Sequence, residues 1–539
     1  MVRSAILSRG VIPLATAATA AVALTLVPIG ASAAPKASCE NRTNNTITKL
    51  VECVDADGAI EHMEAFQEIA DANGGNRAAG LPGYDASVDY VVEKLEAAGW
   101  NVSIDTFDYT FTPLPTLEQL TPVAAVYEAG AFTATGTGTV EGNVIPVDVD
   151  TVKPVPDTLD SGCTASDFAG IDWSGTADIA LIQRGTCEFG VKAINAQTAG
   201  AEAVIIFNQG NTTLREGVVT GTLIGVNQTP LSIPVVGASF ADGVALAQPG
   251  STARVSVGAS SQRPQQNVIA ELPGVIDDNV VMAGAHLDSV QRGPGINDNG
   301  SGSAALLEVA ESMAKVKPYN TLRFAWWGAE ESGLLGSTAY VNELKTMPGE
   351  LDRIALYLNF DMVASPNYIF MVYDADESSF PAPTGIPIPE GSESIEDLFE
   401  SYFTWVGEPY EDAQFSGRSD YQAFIMNGIP AGGLFTGAEV PKTEEQEAIW
   451  GGEAGQQYDP CYHLACDTID NFDEHALDVN IDAIAVAVLN YAFSTESVNG
   501  VVGVDVPGGT VLPEPAGEEG TVGSQAGGLD HDHDHRDVS

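Results

Sequence analysis

The chain has 539 residues, 44% of them hydrophobic, and a formal charge of −52 from 22 Lys+Arg against 74 Asp+Glu. That apolar content is ample for a large core and excludes a wholly disordered chain. The acidic excess repels phosphate and disfavours nucleic acid as a partner; beyond solubility it identifies no activity and no oligomeric state.

The N-terminus predicts a destination. Arg3 and Arg9 precede an apolar stretch at 11–29, and Ala31-Ser32-Ala33 offers the small-x-small pattern that signal peptidases cut. Residues 1–33 therefore read as a cleaved signal peptide of a secreted, extracellular protein. Their loss removes two arginines and no acid, taking the charge from −52 to −54. No later stretch reads as long and apolar enough to span a bilayer, so no stable membrane anchor is expected. Six cysteines remain, an even number suited to an oxidising compartment. Locality alone favours the pairs Cys39–Cys53, Cys163–Cys187 and Cys461–Cys466.

Helices are predicted over 56–71 and 85–98, the second with Asp85 as N-cap, apolar Val88, Val91, Val92 and Leu95, and Gly99 as its stop. Residues 101–112 alternate as a strand. Near Leu114 the composition shifts to Val, Thr and Gly, and 118–261 reads as a β-rich module with strands at 177–183 and 203–208 around a helix at 191–199. From Asn267 strands and helices alternate: strands at 280–286, 322–327 and 354–360, helices at 303–315, 394–406 and 474–493. Apolar strands without alternation, set between helices, predict an α/β fold with a mainly parallel mixed sheet covered by helices on both faces. The module at 118–261 is then an insertion between 34–117 and 262–499. Residues 500–539 are rich in Gly, Pro and acids, end in an Asp-His repeat and read as a disordered tail.

Ligands of open α/β sheets gather at the carboxyl ends of strands. Three predicted strands here run into metal-binding residue types: His286 and Asp288 after the first, Glu330 and Glu331 after the second, Asp361 after the third. A Gly-rich loop carries Asp298, and Tyr462-His463 lies within the tight Cys461–Cys466 loop. A lone histidine after a strand is more often structural, and Glu330-Glu331 alone could be a solvated turn. The coincidence weakens both readings. Of seven histidines three lie in the tail, and two of the other four, His62, His286, His463 and His475, fall where carboxylates gather.

Two Zn²⁺ ions would need this donor set, with a bridging carboxylate and room for water. His286 and Asp361 could hold one ion, Glu331 and His463 the other, with Asp298 between them. Glu330, pointing the other way from Glu331 along extended chain, is placed to take a proton from the attacking water. Asp288 is spaced to return to the His286 ring and fix its tautomer. The Asp-His tail lacks a scaffold and reads as an adventitious binder. A calcium site (Ca²⁺) is not legible in the sequence.

At these residues a resemblance becomes specific. Ala285-His-Leu-Asp-Ser289, Gly295-Ile-Asn-Asp-Asn-Gly-Ser-Gly302, Trp327-Gly-Ala-Glu-Glu-Ser-Gly333, Asn359-Phe-Asp-Met362 and Cys461-Tyr-His463 follow one another in the order of the secreted co-catalytic di-zinc aminopeptidases. That superfamily includes vacuolar aminopeptidase Y and the transferrin-receptor ectodomain, and the resemblance spans about 40–115 and 265–495. It implies a zinc exopeptidase fold and two zinc ions held by His286, Asp298, Glu331, Asp361 and His463. It further implies Glu330 as general base, Asp288 as supporting carboxylate, Tyr462 as oxyanion-stabilising phenol and Arg418 as a substrate-holding cation. Peptides with free N-termini are the implied substrates, their amine bound by a zinc with Glu330 and Asp361, and large apolar first residues the commonest choice. The stretch Gln183-Arg-Gly-Thr-Cys-Glu-Phe-Gly190 with 199–208 resembles a protease-associated (PA) domain, a non-catalytic module implied to shape substrate access, with a plain structural insertion as the alternative. A carboxypeptidase of the same superfamily, a glutaminyl cyclase and a non-catalytic zinc-containing binding protein are the competing readings. The carboxypeptidase would need basic residues near the motifs, where Arg292, Arg323 and Arg418 stand.

Overall fold

The computed structural model describes residues 39, 41–175, 177–223 and 231–516; the expected signal peptide and the Asp-His end of the tail lie outside the described residues. The larger of two main sheets has eight strands. In chain order they are β1 (Asn101–Phe111), β2 (Ser261–Leu272), β3 (Ile276–His286), β4 (Asn320–Trp327), β5 (Ile354–Phe360), β6 (Met371–Tyr373), β7 (Glu411–Ala413) and β8 (Ala431–Phe435). Their spatial order is β1-β2-β4-β3-β5-β8-β6-β7. The central β4, β3, β5 and β8 run parallel, whereas β1, β2 and β6 pair antiparallel with β2, β4 and β8 respectively.

Every residue of β4 and β5 is buried, which explains their lack of alternation: both sheet faces are covered. One face packs on helices Ala56–Ala72, Gly302–Met313, Ser392–Val406 and Glu474–Phe493, the other on Leu335–Thr346 and Tyr421–Ile425. The mixed α/β class expected from the sequence is thus the observed one.

Several local expectations change. The second helix runs Pro82–Ala98, so Asp85 lies in its first turn and is not its N-cap; Leu81 is extended before Pro82, which opens the helix. Gly99 does close it, at φ 97°. Helix Leu335–Thr346 and strand β2 were not legible, the first because its apolar face is thin, the second because Gln and Arg crowd its start. Helix Glu474–Phe493 overturns the expectation that no later stretch could span a membrane, since it is long and apolar enough; yet it is mostly buried inside the fold, as a core helix. The chain beyond Gly500 is ordered through 516: Val506 and Leu512 pack on the core, and Val504 N–H donates to Phe493 O at 3.0 Å.

Between β1 and β2 the chain builds a seven-stranded sheet in the order Ala125–Tyr127, Thr116–Thr121, Thr252–Val257, Gly138–Val147, Asp178–Gln183, Ala203–Phe207 and Val235–Ala238. It has its own two apolar clusters. The disulfides are Cys39–Cys53, Cys163–Cys187 and Cys461–Cys466. Three formed disulfides belong to an oxidising compartment.

Candidate active site

Parallel register brings the motif residues together. His286 ends β3 opposite Trp327 at the end of β4, and Gly284 pairs with Asn359 of β5, so three strand ends open on one edge. Asp361 follows β5 directly, and Glu330 and Glu331 follow β4 after one turn. The loop before helix Gly302–Met313 folds over this edge and buries Asp298. Gly295 permits that fold: its φ is +64°, and a Cβ there would lie 2.4 Å from Asp298 O.

Asp298 sits between the two histidines. Its Oδ1 is 3.2 Å from His286 Nε2, and its Oδ2 is 3.2 Å from His463 Nε2. Around His286 Nε2 stand Asp361 Oδ1 at 3.3 Å and Glu330 Oε2 at 3.7 Å. Glu331 Oε2 is 3.0 Å from His463 Nε2. Two donor groups result, His286/Glu330/Asp361 and Asp298/Glu331/His463, each with its ligand atoms within 4.8 Å of one another.

Glu330 and Glu331 do diverge to opposite halves of the site, but through a one-turn helix, Glu330–Ser332, rather than extended chain, because Ala329 adopts φ +57°. Asp288 also departs from expectation. The nearer partner of His286 Nδ1 is the Asp288 backbone carbonyl at 3.0 Å, while the carboxylate stands 3.8 Å away and accepts the Glu330 N–H at 3.1 Å. It orients the Glu330 turn as much as the ring. Arg418 donates to Glu439 at 2.7 Å and to the Tyr462 hydroxyl at 3.3 Å, and Tyr462 stacks on His463 at 3.8 Å.

The electrostatics are those of a cation site. Burial opposes the charged form of His286, yet the Glu330 and Asp361 carboxylates and the Asp298 bond hold its pKa well above the usual range. Burial likewise opposes charge on His463, which Glu331 and Asp298 nevertheless raise to about 11. Burial would raise Asp298, but both imidazoles pull it well below the carboxylate range. Burial pushes Glu330 well up and lifts Asp288 and Asp420 to about 7. Buried Glu331 Oε1 receives no hydrogen bond among the described residues. Imidazole and carboxylate donors, crowded acids and an orphaned oxygen fit divalent metal of the zinc type.

Four residues that matter here were not singled out from the sequence, although Ser419 follows Arg418 in the stretch Gly417-Arg-Ser-Asp-Tyr421. Fully buried Arg77 donates to Pro294 O at 2.9 Å, to Gly295 O at 2.6 Å and to Leu287 O, pinning the His286 and Asp298 loops together. Asp467 accepts the Asn297 and Asp298 N–H groups at 2.8 and 3.0 Å. Asp459 accepts Asn297 Nδ2 at 2.7 Å, and Ser419 Oγ donates to Asp361 Oδ2 at 2.6 Å. Their available signals were rarity (few bases in an acidic chain) for Arg77, and closeness to the Cys461–Cys466 loop for the two aspartates.

Residues 267–488 match Peptidase family M28, and residues 140–246 match the PA domain. An aminopeptidase of Pseudomonas aeruginosa (strain UCBPP-PA14) is 46% identical over 459 residues, 84% of this chain and 83% of its own length. The chain belongs to peptidase family M28. A probable leucine aminopeptidase 2 of Aspergillus fumigatus is 41% identical, covering 78% of this chain and 80% of its own. A zinc aminopeptidase from Bacillus subtilis shares the fold at TM-score 0.56 and 25% identity, over 81% of this chain and 94% of that one. This M28 chain is therefore an aminopeptidase with an inserted PA domain, and the motif residues lie in its candidate active site.

A cavity of about 180 Å³ opens on the site, with Met371, Tyr373, Phe380, Phe435, Val440 and Tyr458 among its walls. Arg418, Tyr462, Glu330 and Asp361 line the same cavity.

Proposed function

We propose that the chain releases the first residue of peptides with two zinc ions, one held by His286, Asp361 and Asp298, the other by Glu331, His463 and Asp298. The observation that carries this reading is Asp298, whose two oxygens each stand 3.2 Å from a different histidine. Bound zinc supplies polarisation of the scissile carbonyl and a water acidified towards neutral pH.

The side chains supply the rest. Glu330 takes the proton of the attacking water and returns it to the leaving amine. The Asp288 carboxylate holds the Glu330 backbone, and the Asp288 carbonyl fixes the His286 ring. The Tyr462 hydroxyl, oriented by Arg418, donates to the oxygen on which negative charge develops. Glu330 and Asp361 bind the free α-amino group, confining attack to the first residue. The apolar walls of the adjoining cavity suit a large apolar first side chain such as Leu.

Export follows the signal peptide at 1–33, and three disulfides support it. We assign the inserted module to 116–260 and the catalytic unit to 34–115 with 261–499, each boundary moved by one or two residues from the expected 118–261 so that no strand is cut. A Leu-headed peptide and its N-acetylated twin test the reading, with the released residue identified by mass. Leu is expected from the free peptide alone. Release of the C-terminal residue from both would make the chain a carboxypeptidase, and no cleavage with zinc supplied would make it a binding protein.

A further inference from the structure

A second cavity, of about 320 Å³, reaches the site from the side of the inserted module. Where it meets the site it is lined by Asp288, Glu331 and His463; towards the module it is lined by Gln291, Arg292 and the module's Ala131. Gln291 clamps the chain on its way into the module, donating to Thr112 O at 2.9 Å and accepting from Leu114 N–H at 3.2 Å. Arg292 crosses to the module itself, with Nη2 3.0 Å from Glu128 Oε1. The loop bearing both is tied at its base: Ser289 Oγ donates to Gly293 O at 2.9 Å and accepts the Arg77 N–H at 2.9 Å.

Both cavities include His463, so the candidate centre lies where they meet. Hydrolysis there leaves the first residue on one side of the broken bond and the remaining peptide on the other. The apolar cavity accounts for the first residue; the second is the path left for the remainder. Besides His463, Arg292 is the only base among the described residues lining it. A downstream carboxylate is repelled by Asp288 and Glu331 where the cavity meets the site and attracted towards the module. Arg292 and Glu128 are 35% and 47% exposed, and such pairs are weak enough to exchange for another carboxylate.

We propose that this second cavity is the channel for the leaving peptide and that Arg292 recognises a carboxylate downstream of the scissile bond, with Glu128 of the inserted module as its competitor. The carboxylate comes either from the C-terminus of a short peptide or from an acidic side chain of a longer one. This proposal rests on the aminopeptidase reading.

The test measures kcat/KM for Leu followed by one to four glycines, each as free acid and as amide, with Leu p-nitroanilide as a substrate lacking a downstream chain. Amidated peptides carrying Asp or Asn at the most discriminating position separate the two carboxylate sources. A charge-assisted contact predicts an acid-over-amide or Asp-over-Asn preference of about tenfold at one length. Arg292→Ala should bring that ratio near one, Arg292→Lys should keep part of it, and Glu128→Gln should raise it. Ratios near one at every length, or a ratio that survives Arg292→Ala, would overturn the proposal. Failure of the unmodified enzyme on every substrate, the anilide included, would instead refute the aminopeptidase reading.

Discussion

Arg77→Met is the sharpest test of how the loops carrying His286 and Asp298 are held. The guanidinium is fully buried, and burial lowers its pKa to about 10, still charged at neutral pH. It satisfies three backbone carbonyls, those of Leu287, Pro294 and Gly295, which bracket the segment between His286 and Asp298. Methionine fills much of the space and donates nothing. Each carbonyl left buried without a donor costs about 1–3 kcal/mol, and relief from burying the guanidinium offsets several kcal/mol. The net loss is then roughly 2–4 kcal/mol, a fall in Tm of about 5 °C for a large domain. Activity should suffer more than stability, because loop displacement of about 1 Å at a reacting centre costs roughly 100-fold in rate. Calorimetry, zinc content after gel filtration and kcat/KM on Leu p-nitroanilide are the three readouts. A variant within 1 °C and threefold of the parent (limits near assay error) would refute the pinning role.

Glu330→Gln should lower kcat by about 10²–10⁴-fold while zinc content and KM hold, as expected of a lost general base; steady-state kinetics with metal analysis checks it. Dialysis against a chelator should abolish hydrolysis and lower Tm, and zinc at a hundredfold over its Kd should restore about 2.7 kcal/mol of stability. Metal analysis of the restored enzyme should find about two ions per chain. Glu396 is buried, and burial, with Asp376 and Asp412 nearby, raises its pKa from 4.5 to about 9 although it accepts the Ala375 and Asp376 N–H groups. The folded chain therefore holds a proton that the unfolded chain has released, so stability is greatest below pH 4.5 on this account and is lost as pH rises towards 9. Glu400 and Asp482, raised by burial to about 7 and about 8, act with the same sign. Tm should fall between pH 6 and 9, less so in Glu396→Gln; equal slopes in thermal melts would exclude Glu396 as a source.

Much of this molecule is legible locally. The apolar runs at 280–286, 322–327 and 354–360 show the strands because a sheet covered on both faces removes alternation. The metal-binding residue types stand immediately after those runs, so adjacency in sequence is adjacency to a strand end. The disulfides join cysteines at most 24 residues apart, where proximity along the chain is a fair guide to proximity in space.

Arg77, Asp467, the Arg292–Glu128 pair and the second cavity are of another kind. Arg77 acts on carbonyls more than 200 residues away, and Asp467 on N–H groups about 170 residues away. Neither separation has a periodicity that could announce it. Backbone acceptors have no residue identity, so a guanidinium that serves three of them leaves no motif. By itself, then, the sequence determined the central strands β3, β4 and β5 and which side chains follow them. Only the tertiary structure decided that parallel register aligns those strand ends, that Asp298 lies between two histidines, and that the inserted module reaches a second cavity beside them, because those facts depend on contacts between segments far apart in the chain.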